Sequence, residues 1–330
     1  EDAPFTLPAG LPRAAPGRVR VLRLSGGGYR GLFTAALIRA LEARLGPDPA
    51  RPTPFGQRFD LIAGTSIGGI LATALSCRAT GAALQALLQR RGSSIFPPMR
   101  LRGLRKLLGR APYDPQRLRS AICELLPDAE QQLLGEHAPA LLLTTVNWTT
   151  SKLQLLGSRP TLGQRDQLGL TLMDAMLATS AAPAQFPVHS FQHHRFVDGG
   201  LAANAPDLHA LQCAQQMYPG AEVHMLSIGT ANPLHGRDPS AVPGRGLMWA
   251  GPVIELVTSA QEVLAVQECA ARMGTHRYLR LNMPPSSAQQ KQLDFDVADQ
   301  TSTDLLLSLA DDCLASLQPA DWHRRKAIVG

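Results

Sequence analysis

Short apolar runs alternate with amphipathic stretches along most of the chain. The runs at 19–24 and 59–63 are followed at once by glycine, which is typical of buried strands. Residues 29–45 carry apolar side chains at helical spacing, and 66–77 is predicted as a second helix. Downstream, the pattern predicts strands over 140–148, 152–156, 195–198, 222–228 and 276–281, and helices over 172–179, 206–216, 247–273 and 303–317.

Strands that alternate with helices predict an α/β fold with a mainly parallel central sheet. The 330 residues, 45% of them hydrophobic, are enough to bury a large core. We see no internal repeat and no linker, and therefore expect a single domain over 1–330. Residues 1–18 form a Pro/Gly-rich lead-in without an apolar core, unlike an intact signal peptide. The longest stretch without a charged residue or a histidine, 61–77, is too short for a membrane span.

Five cysteines, an odd number without C-x-x-C spacing, indicate reduced thiols in a cytoplasmic compartment. This pattern argues against a disulfide framework and against a zinc site, so we expect no metal. The formal net charge of +6 is compatible with anionic partners without identifying one. We expect no DNA or RNA partner.

The positive charge is concentrated in residues 89–119, which hold nine basic side chains and one acid, Asp114. Leucines interleave with these charges at helical spacing, and a basic amphipathic helix suits an anionic membrane surface. We predict that 89–119 is a basic helical insertion or lid. A solvated charged face is the alternative. The candidate contacts with a membrane or an anionic ligand are Arg100, Arg102, Arg105 and Lys106.

A glycine-rich turn, Gly26-Gly27-Gly28-Tyr29-Arg30-Gly31, follows the first predicted strand and opens the first helix. Unpaired backbone N–H groups and the helix dipole make such a turn an anion site. The anion is either a phosphate or the oxyanion of a tetrahedral acyl intermediate.

The same turn satisfies G-x-G-x-x-G, the dinucleotide fingerprint, which requires an acidic residue at the end of the next strand. Asp48 has the right spacing but lies between two prolines rather than at a strand end. No Gly-Lys-Ser/Thr follows, so a Walker A motif is excluded. A nucleotide-binding module that uses residues 26–31 is the alternative to an enzyme, and a plain tight turn is the third interpretation.

The second glycine turn, Gly64-Thr65-Ser66-Ile67-Gly68, joins a predicted strand to a predicted helix. This is the context of a nucleophile elbow, in which a sharp turn exposes the serine hydroxyl. Gly64 and Gly68 remove side chains that would clash there. Ser66 is therefore the candidate nucleophile, with a purely structural turn as the alternative.

A serine nucleophile needs a base, and none of the nine histidines lies in a distinctive loop motif. Asp198 is the better candidate, because an apolar strand end delivers it and two glycines let another backbone approach. We expect Ser66 and Asp198 to meet at the carboxyl ends of parallel strands. Desolvation there would raise the carboxyl pKa from its ordinary value of about 3.9. A turn-forming Asp-Gly is the alternative.

Together, the motifs at 26–31, 64–69 and 198–200, with Ala-Thr-Ser-Ala-Ala-Pro at 178–183, resemble the patatin-like phospholipases over roughly 20–230. The resemblance implies a three-layer α/β/α fold and a Ser66–Asp198 dyad without histidine. It further implies an oxyanion hole made by Gly26, Gly27 and Gly28. Arg30 would steady the turn or approach a phosphate, and the supporting glycines are Gly31, Gly64, Gly68 and Gly199.

The chemistry that the resemblance implies is two-step acyl transfer on membrane phospholipids, without metal or other cofactor. The enzyme would act as a peripheral protein on the inner face of the membrane. Compact bacterial proteins of this type include anti-phage effectors that stay silent until a cyclic nucleotide binds, so a cyclic-nucleotide activator is expected. A non-catalytic membrane-binding scaffold is a further alternative.

Overall fold

The computed structural model describes residues 17–45, 54–97, 112–137, 139–162, 169–183, 185–232, 250–290, 292–317 and 328. The strands of these regions are β1 (Arg18–Leu24), β2 (Leu61–Thr65), β3 (Leu141–Asn147), β4 (Lys152–Gly157), β5 (His189–Phe191), β6 (His194–Asp198), β7 (Glu222–Ile228) and β8 (Tyr278–Leu281). The longer helices are α1 (Gly31–Leu45), α2 (Ile67–Ser76), α3 (Gly81–Ile95), α4 (Pro115–Leu125), α5 (Leu172–Thr179), α6 (Asp207–Met217), α7 (Ala250–Met273) and α8 (Gln300–Ala315). Single turns of helix lie at Gly28–Arg30, Phe55–Arg58, Leu134–Glu136, Arg159–Leu162, Gly200–Ala203 and Ser287–Gln290.

One mixed sheet joins all eight of these strands. Its parallel part has the order β3-β2-β1-β7-β8, and β4 and β6 pair antiparallel with β3, while β5 pairs antiparallel with β6. The predicted parallel core is thus confirmed, and the two predicted strands β3 and β4 form an antiparallel hairpin. β5 was not among the predicted strands, because its three residues are too few and too polar to give a strand signal.

Alternating side chains of the strands fill two separate cores, one on each face of the sheet. From β1, Leu22 and Leu24 face the larger core, which α1, α2, α3 and α8 cover. Val19 and Val21 face the other core, against α6 and the second half of α7. The chain therefore has the three-layer α/β/α architecture that its family resemblance implied.

Two helices begin at capping residues of the kinds that favour a helix N-terminus. Thr171 caps α5 and exchanges hydrogen bonds with Asp174 in a capping box. Asp114 caps α4, whose first residue is Pro115. Most predicted boundaries lie within three residues of the observed ones, and 172–179 and 222–228 match α5 and β7. None of the helices in the described part of the chain combines the length and hydropathy that a bilayer span requires.

The predicted basic insertion is described only at its two ends. Residues 98–111, and with them Arg100, Arg102, Arg105 and Lys106, lie outside the described residues. On the flanking helices, Arg90 and Arg91 both pair with Glu124, and Arg119 pairs with Glu130. These exposed pairs join α3 to α4 and the end of α4 to the loop that follows it. The interpretation of 89–119 as a lid stays a prediction.

Candidate active site

Ser66 lies at the sharp turn between β2 and α2. Its backbone, with φ 55° and ψ −128°, is in a region that a non-glycine residue adopts only under strain. A Cβ on Gly64 would lie 2.2 Å from the carbonyl oxygen of Gly68, and one on Gly68 would lie 2.4 Å from that of Ser25. Both glycines are therefore required for α2 to fold back so closely onto β1 and β2.

Two strands bring the predicted dyad together by meeting end to end along β3. β2 runs parallel to β3 and ends with Thr65 opposite Thr144. β6 runs antiparallel to β3 and ends with Asp198 opposite Thr145, the next residue. Since β4 occupies the other edge of β3, the carboxyl ends of β2 and β6 abut on one edge. The expectation that both strands are parallel was wrong for β6, although the residues that it placed together do meet.

The two predicted residues are directly hydrogen-bonded. Ser66 Oγ donates to Asp198 Oδ2 at 2.6 Å, and the Gly200 N–H donates to Asp198 Oδ1 at 2.7 Å. Asp198 is only 6% exposed, and this burial raises its pKa to about 6, although the two hydrogen bonds act to lower it. The carboxylate is thus still ionised at neutral pH but is a stronger base than a free aspartate.

Thr179 is a member of the site that the search for a nucleophile and a base missed. The Ser66 N–H donates to Thr179 Oγ1 at 2.9 Å, and this hydroxyl donates to the Thr144 carbonyl at 2.6 Å. Thr179 therefore ties the elbow to β3 and fixes the amide of the nucleophile. The signal in the sequence was its position in the Ala-Thr-Ser segment at 178–183.

The first glycine turn contributes two free amides rather than three. The Gly26 N–H donates to the Asn204 carbonyl at 3.1 Å, so Gly26 does not supply the predicted oxyanion donor. The Gly26 carbonyl accepts from Thr230 Oγ1 at 3.0 Å. Because C=O and N–H point in opposite directions across a trans peptide, this bond turns the Gly27 N–H away from Thr230.

The next peptide is fixed in the same way. The Gly27 carbonyl accepts from the Arg30 N–H at 3.2 Å and from Arg30 Nε at 3.4 Å, which leaves the Gly28 N–H on the opposite side. Within the described residues neither the Gly27 nor the Gly28 amide has an acceptor, and both glycines line the same cavity as Ser66. This pair of amides is suited to bind an oxyanion.

Arg30 is bonded to this turn through Nε, and steadying the turn is one of the two roles that the family resemblance implied for it. Its guanidinium is buried, and this burial lowers its pKa. The nearby carboxylates of Glu255, Glu262 and Asp294 act in the opposite direction, because they favour the charged form. Since an arginine pKa starts near 12.5, the group keeps its positive charge at neutral pH. It lines the cavity, where this charge is available to an anionic group.

A cavity of about 360 Å³ opens in front of the dyad. Ser66, Asp198, Gly27 and Gly28 lie in its wall, and the rest of the lining, from helices and the loops between them, is largely apolar. The apolar lining residues are Ile67, Ile70, Leu88, Ile95, Phe96, Leu118, Ala182, Pro183, Phe186, Leu201, Ile254 and Phe295. A space of this size and character fits an apolar chain attached to a polar reacting group.

The remaining predicted glycines are steric requirements of the site. A Cβ on Gly31 would lie 2.5 Å from Ile67 Cγ1, and one on Gly199 would lie 2.3 Å from the Thr144 carbonyl. Gly31 thus lets α1 pack on the elbow, and Gly199 lets the turn after Asp198 pack on β3.

Most of the chain is similar to known proteins. The model of the patatin-like phospholipase family matches residues 22–211. A cGAMP-activated phospholipase of Pseudomonas aeruginosa (strain BWHPSA011 / Pa011) is 34% identical over 284 residues, which cover 83% of this chain and 82% of the relative. A second protein of that name, from Vibrio cholerae serotype O1, is 32% identical over 84% of this chain and 85% of its own length. Among solved structures, human GIVD cytosolic phospholipase A2 matches with a TM-score of 0.44 at 13% identity, over 94% of this chain and 59% of the human one.

Proposed function

This chain belongs to the patatin-like phospholipase family and is a lipid ester hydrolase, and on that premise we propose that it cleaves membrane phospholipids with Ser66 as nucleophile and Asp198 as base. The observation that carries the assignment is the 2.6 Å hydrogen bond from Ser66 Oγ to the buried Asp198 carboxylate. Two unpaired glycine amides and an apolar cavity adjoin this pair.

The arrangement supports acyl transfer in two steps. Asp198 accepts the hydroxyl proton as Ser66 Oγ attacks the ester carbonyl, and the Gly27 and Gly28 amides bind the resulting oxyanion. The intermediate collapses, the ester C–O bond breaks, and Asp198 returns the proton to the leaving alcohol. Water then attacks the acyl-enzyme with Asp198 again as base, which releases the fatty acid and restores the Ser66 hydroxyl.

Fatty-acid release from mixed phospholipid vesicles, measured with cGAMP present, tests this proposal. We expect Ser66→Ala to lower the rate at least about 10³-fold, because the nucleophile is lost while the fold is kept. Ser120→Ala is the matched control, because it removes an exposed hydroxyl on α4, and it should leave the rate unchanged. Release by Ser66→Ala at the wild-type rate would contradict the proposal.

We also propose that a cyclic nucleotide activates the enzyme. The support is the name cGAMP-activated phospholipase, carried by relatives that align with more than four fifths of this chain. We expect vesicle hydrolysis to require cGAMP, with the linear dinucleotide of the same bases as an inactive control. Full activity of the purified protein without any nucleotide would contradict this part of the proposal.

Peripheral attachment to the cytoplasmic face of the membrane is proposed from an apolar stripe on α7. The stripe consists of Val253, Leu256, Val257, Ala260 and Leu264, which are exposed on one side of the helix. Leu256 and Leu264 are 56% and 59% exposed. Another side of the same helix lines the catalytic cavity through Ile254 and Thr258. A bilayer in contact with the stripe would therefore lie beside the site that takes its lipid.

Vesicle co-sedimentation tests the stripe. We expect the double variant Leu256→Gln/Leu264→Gln to lose vesicle binding while it keeps the hydrolysis of a small soluble ester. Trp148→Gln is the control, because Trp148 is 67% exposed but does not line the cavity. Equal loss of binding in the control and the double variant, or no loss in either, would contradict the assignment of the stripe.

A further inference from the structure

Glu262 of α7 is a buried carboxylate behind the glycine turn, without contact to the reacting groups. It is 1% exposed and accepts four side-chain hydrogen bonds. Ser25 Oγ, at 3.1 Å, and Arg280 Nη2, at 2.5 Å, donate to Oε1. Asn204 Nδ2, at 2.8 Å, and Asn232 Nδ2, at 2.7 Å, donate to Oε2. Both oxygens are thus saturated by donors, which is what a buried carboxylate requires.

Two of these donors lead to the turn that holds the free amides. Ser25 directly precedes Gly26, and the Asn204 carbonyl accepts the Gly26 N–H at 3.1 Å. The side chain of Asn204 packs on the same residue, since a Cβ on Gly26 would lie 2.3 Å from Asn204 Oδ1. Because Nδ2 of Asn204 donates to Glu262, the carboxylate decides which end of this amide faces Gly26.

We propose that Glu262 is a positioning residue for the oxyanion hole, acting through Asn204 and Ser25 on the turn 25–28. The inference depends on the proposed hydrolase function, since it assigns the turn a role in catalysis. The direction of the Gly27 N–H depends on where the Gly26 peptide lies, and a donor acts only if it points at the developing charge. Glu262 therefore acts on the rate of the chemical step and not on the binding of the ester.

Glu262→Gln tests this inference, because the variant keeps the shape but places an NH₂ group against one pair of donors. With a small soluble ester and cGAMP present, we expect kcat to fall by about 10- to 100-fold, somewhat less than the loss of a whole oxyanion donor, with KM within about twofold. Amide hydrogen exchange over 25–28 should become faster. A trifluoromethyl ketone, which forms an oxyanion on Ser66, should bind more weakly in proportion to the loss in kcat/KM.

Thr161→Val is the matched control, because it removes two buried hydrogen bonds, to the Ser158 carbonyl at 2.7 Å and the Leu141 carbonyl at 3.1 Å, without touching the turn or a residue bonded to it. It should lower stability but leave kcat and the exchange of 25–28 unchanged. If Glu262→Gln fails to fold, Asn204→Ala is the second variant, because it removes the hydrogen bond between Asn204 and Glu262. It should also lower kcat. Unchanged kcat and unchanged exchange in the folded variants would overturn the inference. Faster exchange of 25–28 in Glu262→Gln than in the wild type, together with a wild type that hydrolyses no ester, would uphold the positioning and contradict the hydrolase function instead.

Discussion

Asp198 shows at the scale of one residue how burial makes a weak base useful. In water a carboxylate with a pKa near 4 has little tendency to take a proton from serine. Enclosure by β3, the elbow and the turn after β6 raises the pKa to about 6, although hydrogen bonds from Ser66 and Gly200 favour the charged form. This value is low enough for ionisation at pH 7 and high enough for proton transfer.

The raised pKa predicts the pH dependence of the reaction. Below about pH 6 Asp198 is protonated and cannot accept the Ser66 proton, so kcat/KM should rise with pH to a plateau with an apparent pKa of about 6. The measurement is kcat/KM for a soluble ester at constant ionic strength, with folding checked at each pH. A profile that stays flat down to about pH 4.5 would mean that the base has the pKa of an ordinary aspartate or is another group.

The same shift has a consequence for stability. The folded chain binds the Asp198 proton more tightly than the unfolded chain, so stability declines as pH rises from about 4 to about 6. At neutral pH the buried charge costs on the order of 3 kcal/mol.

Asp198→Asn should therefore be inactive but more stable than the wild type at pH 7, by on the order of 1–2 kcal/mol after one lost hydrogen bond is counted. The gain should shrink at about pH 4, where the wild-type carboxyl is protonated. Urea unfolding of both proteins at the two pH values is the measurement. A variant that is less stable than the wild type at pH 7 would show that the buried charge of Asp198 does not destabilise the fold.

At the scale of elements, the site depends on helices that approach strands, or one another, too closely for a side chain. The atoms nearest to a Cβ on Gly31 belong to the side chain of Ile67, whereas one on Gly68 would meet the backbone oxygens of Ser25 and Leu24. A clash with a side chain is relieved by shortening that side chain, but a clash with backbone is not.

Gly31→Ala should thus destabilise the fold by about 1–3 kcal/mol, and Ile67→Ala should recover part of this loss in the double variant. Gly68→Ala should destabilise at least as much, with no recovery by Ile67→Ala. A double-mutant cycle by chemical unfolding measures both couplings. Additive effects of Gly31→Ala and Ile67→Ala would contradict the packing described for α1 and the elbow.

The sequence was sufficient to predict most elements and the two reacting side chains, because each has a local signal. Ser66 and Asp198 both follow apolar strands and are flanked by glycine. The direction of β6 was not predictable in this way, since it depends on pairing with β3 about 50 residues earlier in the chain. Thr179, Asn204 and Glu262 were missed for the same reason: Thr179 is 113 residues from Ser66, and Glu262 is 237 residues from Ser25.

At the scale of the whole molecule, charge and apolar surface suggest two contributions to membrane attachment. The chain carries a net charge of +6, which attracts it to anionic lipid over roughly a Debye length. The apolar stripe on α7 contributes a short-range term that does not depend on salt. The stripe and part of the cavity lining are on one helix, so the proposed attachment would place the bilayer beside the cavity.

Binding to anionic vesicles should accordingly weaken between about 0.05 and 0.5 M salt, whereas the weaker binding to zwitterionic vesicles should hardly change. Hydrolysis of a soluble ester should be unaffected over the same range, because the cavity is largely apolar. Co-sedimentation with both vesicle types gives the comparison. Salt-independent binding to anionic vesicles would show that electrostatic attraction does not contribute to vesicle binding.

The central claim, that Asp198 activates Ser66 without a histidine, is tested most directly by the rate of labelling with a fluorophosphonate, which reacts with an activated serine. In the wild type, mass spectrometry should locate the label on Ser66, and Asp198→Asn should lower the labelling rate by about 10²- to 10⁴-fold. The protein with His209→Ala, a partly buried histidine of α6, should be labelled like the wild type. Labelling of Asp198→Asn at the wild-type rate, or label found on another residue, would contradict the dyad.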